Sequence, residues 1–303
     1  MGSPAAACPS LEGLVRAGYE VAAVYTQPDR PAGRGRALAA PAVKLAAAKL
    51  GLPVRQPTSL RDAGELKRLA ALEPEAIVVC AYGQILTRAV LDIPPRQCLN
   101  VHFSLLPRHR GAAPVAAAIL AGDAFTGVTI QLVRKKLDTG PVLARAAVPV
   151  LYYDTAGTLT AKLAQVGAAL LLEALSGWGR GEITPQPQDE SAATYVPRFG
   201  KGAGEIDWND AAERIARLVR AYQPWPGAYT KWGGKRMEII EAAAVPGEAA
   251  AGKVLSLPGG GISIGTGAGL LEVRRLQLAG NKPLTAAAFV NGHRDIVGAV
   301  LPD

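Results

Sequence analysis

Four short runs rich in Val, Ile and Leu constrain this chain more than anything else in it: EAIVVC (75–80), CLNVH (98–102), GVTIQLV (127–133) and PVLARAAVPV (141–150). Each reads as a buried strand, as does VAAVYT (21–26) between Gly18 and Pro28. Helical stretches alternate with them, at 41–50 with Gly51 as stop, at 60–72, at 114–122 and at 157–175. The 114–122 stretch has Pro at its start and Gly at its end, the usual helix polarity. Strands alternating with helices predict an α/β layer with a largely parallel sheet.

The pattern changes at 184–204, TPQPQDESAATYVPRFGKGAG, which is polar and Pro/Gly-rich and reads as a linker. Beyond it come one amphipathic helix, 211–222, and strand-like pieces split by Gly and Pro: TKWGGKRMEIIEA, GKVLSLPGGGISIGT and GLLEVRRLQL. A helix followed by a small β-barrel is expected. GTGAG (265–269) does not match the dinucleotide pattern G-x-G-x-x-G and no helix follows, so it reads as a hairpin turn.

A hydrophobic content of 49% and a charged content of 19% over 303 residues fit two folded domains and exclude a disordered chain. No apolar run reaches the roughly 18 residues needed to span a bilayer, and MGSPAAACPS has neither a basic nor an apolar leader segment. Three scattered cysteines, Cys8, Cys80 and Cys98, fit no disulfide or zinc framework, so a cytoplasmic location is expected. The net charge of +8 is unevenly spread, because residues 205–303 hold 11 Lys/Arg against 10 Asp/Glu. Arg30, Arg34 and Arg36 cluster among glycines and prolines, and Arg134, Lys135 and Lys136 form a second cluster. Such surface attracts phosphate, which makes nucleic acid a candidate partner beside a plain solvated basic face.

The chemistry concentrates in LNVHFSLLPRHRG (99–111). A strand ending in CLNVH puts Asn100 and His102 on one side of the sheet, about 6–7 Å apart. The next residues leave the carboxyl end of that strand, where open α/β sheets keep ligands. Ser104, Leu105, Leu106 and Pro107 suit a ligand-lining loop, and Asp138 in LDTGP (137–141) sits where it could face His102. Asn and His can hold a developing oxyanion while His and Asp manage a proton, as acyl-type transfer requires.

NVHFSLLPRHRGAAPV, GVTIQLVRKKLDTG, TQPDRPAGRG, AYGQIL and IDW…RAYQPWPGAYT resemble the folate-dependent formyltransferases over nearly the whole chain. TQPDRPAGRG and PWPGAYT, with the C-terminal domain, point to the branch acting on methionyl-tRNA. The resemblance implies a Rossmann-like formyltransferase domain over 1–184, a linker over 185–204 and an OB-like tRNA-binding domain over 205–303. It implies 10-formyltetrahydrofolate as donor, the α-amine of initiator methionyl-tRNA as acceptor, no metal, no membrane and a monomer. Asn100, His102 and Asp138 become the catalytic set. Ala81, Tyr82, Gly83, Gln84 and Ile85, with the 104–107 loop, become the folate-binding surface; Arg30, Arg34 and Arg36 become tRNA contacts. A formyltransferase acting on a sugar-nucleotide amine or glycinamide ribonucleotide, or an inactive RNA-binding relative, are the alternatives.

Three departures carry expectations. The family usually opens with an apolar strand ahead of a G-T-P turn, whereas here Gly2-Ser3-Pro4 matches the turn and only Met1 precedes it. A start downstream of the family's usual one would leave two interior strand edges unpaired and an apolar slot between them. Phe103 stands where a small residue is usual, and Lys135-Lys136 where a Gly is expected, which bears on pocket shape.

Overall fold

The computed structural model describes residues 1–32 and 37–302, in two compact units. The first comprises Met1–Pro114, Phe125–Pro149 and Thr160–Val196; the second comprises Val115–Ala124, Val150–Leu159 and the chain from Pro197 on.

The first half of the chain runs α1 (Cys8–Arg16), β1 (Val24–Tyr25), β2 (Arg30–Ala32), β3 (Ala37–Ala39), α2 (Ala42–Lys49), β4 (Val54–Arg55) and α3 (Ala63–Ala70). It continues through β5 (Ile77–Val79), α4 (Arg88–Leu91), β6 (Cys98–His102), β7 (Arg110–Gly111), α5 (Pro114–Ala121), β8 (Phe125–Leu132), β9 (Val142–Pro149), α6 (Ala156–Gly179) and β10 (Tyr195–Val196). One sheet has the order β5-β6-β8-β9, and β1 and β4 form a second, parallel pair. β5 and β6 are parallel, but β6–β8 and β8–β9 are antiparallel, so the parallel character ends at β6. Between β8 and β9 the physical reason is plain: residues 133–141 are too few for the crossover that parallel neighbours need.

A single rung joins the two strand groups. Gly2 N donates to Tyr25 O (2.9 Å), Cys80 N donates to Met1 O (2.9 Å), and the Met1 ammonium donates to Val78 O (2.7 Å). Met1 and Gly2 thus occupy a strand position between β1 and β5. Behind them lies a 720 Å³ cavity whose walls include Val21 and Ala23 on one side, Ala76 and Val78 on the other, and Leu11 and Leu14 of α1. The slot expected from the sequence is present. β1 is correspondingly short, since residues 21–23 meet no strand on that side.

α6 is, among the described residues, the one helix long and apolar enough to cross a bilayer, yet Leu159, Leu163 and Leu171 on it are fully buried inside the protein. It is a core helix. Its Gly167 faces Val101 of β6 and Phe103, and a Cβ there would lie 3.6 Å from the Phe103 ring. The bulky Phe103 is therefore turned inward and packed toward that helix.

The second unit holds α7 (Ala212–Ala221), β11 (Ala228–Trp232), β12 (Lys235–Val245), β13 (Val254–Ser256), β14 (Ile262–Gly265), β15 (Leu270–Leu278), β16 (Leu284–Thr285) and α8 (Ala286–Gly292). Its antiparallel sheet has the order β11-β12-β15-β14-β13, with β16 also on β15. Trp208, Met237, Ile239, Ile264, Leu271 and Phe289 fill its core. A register shift in β12 between Ile239 and Ala242 is the kind of bulge that bends a strand. Residues 265–269 close the β14–β15 hairpin, with Gly265 opposite Leu270.

Candidate active site

β6 is central and flanked on both sides, which is why CLNVH forms over its whole length. Its alternation presents Asn100 and His102 at the carboxyl end, beside Gln131 and Thr129 of β8. His102 Nε2 lies 3.0 Å from His109 O. A carbonyl only accepts, so Nε2 carries a proton and Nδ1 is the nitrogen left to face Asp138. Nδ1 stands 3.7 Å from Asp138 Oδ1, and Asn100 Nδ2 stands 3.5 Å from the same oxygen. The three polar groups singled out from sequence thus converge on one point. The side chains of His102 and Asp138 are 7% and 8% exposed, dry enough for charge–dipole interactions to act with little screening.

Asp138 reaches this place through an unusual backbone. Its φ is +52°, a left-handed conformation that Asp tolerates better than most residues. Two residues on, a Cβ at Gly140 would fall 1.5 Å from Leu132 O, so the turn passes too close to β8 for any side chain. The carboxylate then accepts from Gly111 N (2.9 Å, Oδ2) and from Gln131 Nε2 (3.0 Å, Oδ1). Gly111 itself has φ +116°, and a Cβ on it would stand 2.2 Å from Val196 O. Gly111→Ala is expected to destabilise by about 2–4 kcal/mol and to lower the rate of whatever reaction this site carries at least tenfold, since it moves a donor to Asp138. Thermal unfolding and rate assays on the same preparation check both effects.

The expected folate-lining segments divide by burial. Ser104 and Leu106 are buried and hold the loop: Ser104 Oγ donates to Arg108 O, and Thr129 Oγ1 bridges Ser104 O and Leu106 N. Leu105 and Pro107 are half-buried. In the other segment Tyr82 is packed into the core and Gln84 ties Leu60 N to Pro57 O. Ala81, Gly83 and Ile85 are exposed, Ile85 at 78%. Exposed Arg30 on β2, the strand that pairs antiparallel with β3, donates to Gln27 Oε1; Arg34 and Arg36 lie outside the described residues.

Several residues carry this site that the sequence did not single out. Gln188 Nε2 donates to Asp138 O (2.9 Å) and Gly140 O (2.7 Å), and Gln188 Oε1 accepts from Arg110 Nη2 (2.8 Å). Arg110 is fully buried, and Glu190 and Tyr195 accept its remaining N–H groups. That guanidinium holds the Glu190 carboxyl below its usual range. Residues 194–196, expected as linker, lie along 109–112 as the parallel pair β7–β10. Lys136 reaches the same patch, with Nζ 3.7 Å from Glu190. A strand-borne Gln directly opposite Asn100 was the one available signal, and it is a weak one.

With β6, Asn100, His102 and the LDTG turn assembled at one sheet end, the chain defines an acyl-type transferase site on an α/β scaffold. A formyl transferase family model matches residues 9–175 and the formyl transferase C-terminal domain matches 198–294, so the chain belongs to the formyl transferase family. A methionyl-tRNA formyltransferase of Chloroflexus aurantiacus is 49% identical over 97% of this chain and 96% of its own length. One from Thiobacillus denitrificans is 50% identical over 96% and 94%. Among solved structures, an N-formyltransferase from Helicobacter canadensis in complex with folinic acid and dTDP-3-aminofucose shares the fold, with a TM-score of 0.67 at 17% identity over 90% of this chain and 97% of that one. Within the family, the chain falls in the methionyl-tRNA branch.

Proposed function

We propose that this chain moves the formyl group of 10-formyltetrahydrofolate to the α-amine of initiator methionyl-tRNA at the Asn100–His102–Asp138 mouth. The convergence of Asn100 Nδ2 and His102 Nδ1 on Asp138 Oδ1, within 3.7 Å, carries the reading. The amine attacks the formyl carbon and forms the new C–N bond. Negative charge develops on the formyl oxygen, where Asn100 Nδ2 and the Nδ1–H of His102 in its charged form donate hydrogen bonds, Nε2–H staying on His109 O. Asp138 takes the proton that the amine loses. The tetrahedral species collapses by breaking its bond to N10 of the folate, which leaves as tetrahydrofolate with the proton that Asp138 had taken. No covalent bond to the protein is formed.

Exposed Ala81, Gly83 and Ile85, with Leu105 and Pro107, are the surface offered to the folate; Tyr82, Gln84, Ser104 and Leu106 support it from behind. Arg30, Arg34 and Arg36 are assigned to the phosphates of the tRNA acceptor end. We place the reaction in the cytoplasm, carried out by a monomer.

A formylation assay with methionyl-tRNA, a dTDP-amino sugar and glycinamide ribonucleotide as rival acceptors tests the function directly. Turnover on the tRNA alone is expected; transfer to either small acceptor in its place overturns the reading. Arg34→Ala is expected to raise the KM for tRNA several-fold and to flatten its salt dependence by about one phosphate contact, leaving donor binding alone. An unchanged KM with an unchanged salt slope removes the loop from the interface.

A further inference from the structure

Asp138 is held by more than its own turn. Gln131 is 2% exposed on β8, directly across from Asn100, and spends its Nε2 on Asp138 Oδ1 at 3.0 Å. Its Oε1 accepts from Gln188 Nε2 (3.3 Å), the same amide that reaches the carbonyls of Asp138 and Gly140. Gln188 is in turn oriented by Arg110, whose Nε (3.0 Å) and Nη2 (2.8 Å) both donate to its Oε1. This contact decides which way the amide points: with two guanidinium N–H groups on one end, only the NH₂ end can face the turn. Arg110 is buried with all five donors used, on Gln188, Glu190 and Tyr195, so it has no alternative pose to adopt.

We propose that Gln131 and Gln188, the latter set by Arg110, are positioning residues that fix the Asp138 carboxylate against His102, so that the segment 186–196 is a working part of the catalytic centre. This rests on the role given to Asp138 above. The chain of contacts runs one way. Tyr195 and Glu190 anchor Arg110, Arg110 turns Gln188, and Gln188 clamps the left-handed turn. Gln131 then ties off the oxygen nearest His102 and Asn100. Losing either amide leaves the carboxylate free to swing and adds nothing in its place. A transferase site tolerates little such looseness, because misplacement by about 1 Å can lower a rate a hundredfold.

The test is a double-mutant cycle on the full chain, read by single-turnover formylation of methionyl-tRNA. Gln131→Leu, close in volume, is expected to lower the rate 10- to 100-fold, and Gln188→Ala, on a half-exposed segment that leaves the sheet intact, 5- to 20-fold. KM for both substrates is expected to stay within twofold. In an Asp138→Asn background each is expected to cost less than twofold, because the group they position has already been removed. Undiminished costs in that background, or full activity of both single variants, overturn the proposal while leaving Asp138 in place. Full activity of Asp138→Asn alone overturns the catalytic reading on which the proposal stands.

Discussion

His102→Ala is expected to lower kcat for formyl transfer by about 10²–10³, the range typical of removing one donor aimed at a developing oxyanion, with KM for the folate changed little. The site predicts a second effect that must be separated from the first. His102 Nε2 is a partner of His109 O in a buried loop, and deleting the ring removes that contact at a cost of about 0.5–1.5 kcal/mol. Part of any loss could then come from the 104–111 loop rather than from the chemistry. His102→Gln resolves this, because its amide can still donate to His109 O but cannot also offer a charged N–H to the oxyanion. Its unfolding temperature is expected to lie close to the parent's while its rate stays at the level of His102→Ala. Recovery of the rate in the glutamine variant would mean that the ring serves only to hold the loop, and the oxyanion-donor role would be withdrawn. Asn100→Ala, which leaves the His102–His109 contact untouched, is expected to produce a loss of similar size without the structural component.

How much of the fold was legible in the sequence depends on what each element is paired with. CLNVH was readable to the residue, because a strand flanked on both sides must be apolar throughout, and it is buried at Cys98, Leu99, Val101 and His102. The expected strand at 21–26 shrinks to Val24–Tyr25, because a strand is defined by neighbours and one neighbour is reduced to Met1 and Gly2. The helix Cys8–Arg16 went unread: its sequence, CPSLEGLVR, has Pro in its first turn and Gly inside, and packing rather than propensity sustains it. The hairpin arms Arg30–Ala32 and Ala37–Ala39 were hidden in a stretch of Pro, Gly and Arg with no alternation to betray them. At the site, Asn100, His102 and Asp138 stood out because their chemistry is uncommon at strand ends. Gln131, Gln188 and Arg110 did not, because amides and a salt-bridged Arg look the same in sequence whether they sit on a surface or behind a carboxylate. Their role depends on a close approach between segments some 50 to 80 positions apart, which no local pattern encodes.

The cavity between β1 and β5 leads to the largest expected change in stability. No candidate site residue lines it, so catalysis does not account for it. It lies in line with the rung that Met1 and Gly2 form between β1 and β5. Strand alternation turns the amides of Tyr25 and Val78 toward the empty position, and burial there lowers the pKa of the Met1 ammonium to about 6. A fusion of Val-Ile-Val-Val-Ile directly ahead of Met1 would run in register with both edges. Burying each aliphatic side chain contributes about 1.5–3 kcal/mol, set against about 1.5 kcal/mol of ordering per residue. With several new backbone hydrogen bonds the net gain is expected to be about 3–6 kcal/mol, raising the unfolding temperature by roughly 10 °C. A Gly-Ser extension of equal length supplies the same backbone without the apolar load and is expected to gain much less. The pH dependence offers an independent reading. In the unextended chain the folded α-amine titrates near 6 against 8 when unfolded, so between those values the unfolded state binds more protons and stability rises with pH. The fusion converts that amine to a peptide amide and carries the new terminus out into water, so this rise is expected to vanish. Equal melting temperatures for the apolar and Gly-Ser fusions would show that the cavity does not take a strand.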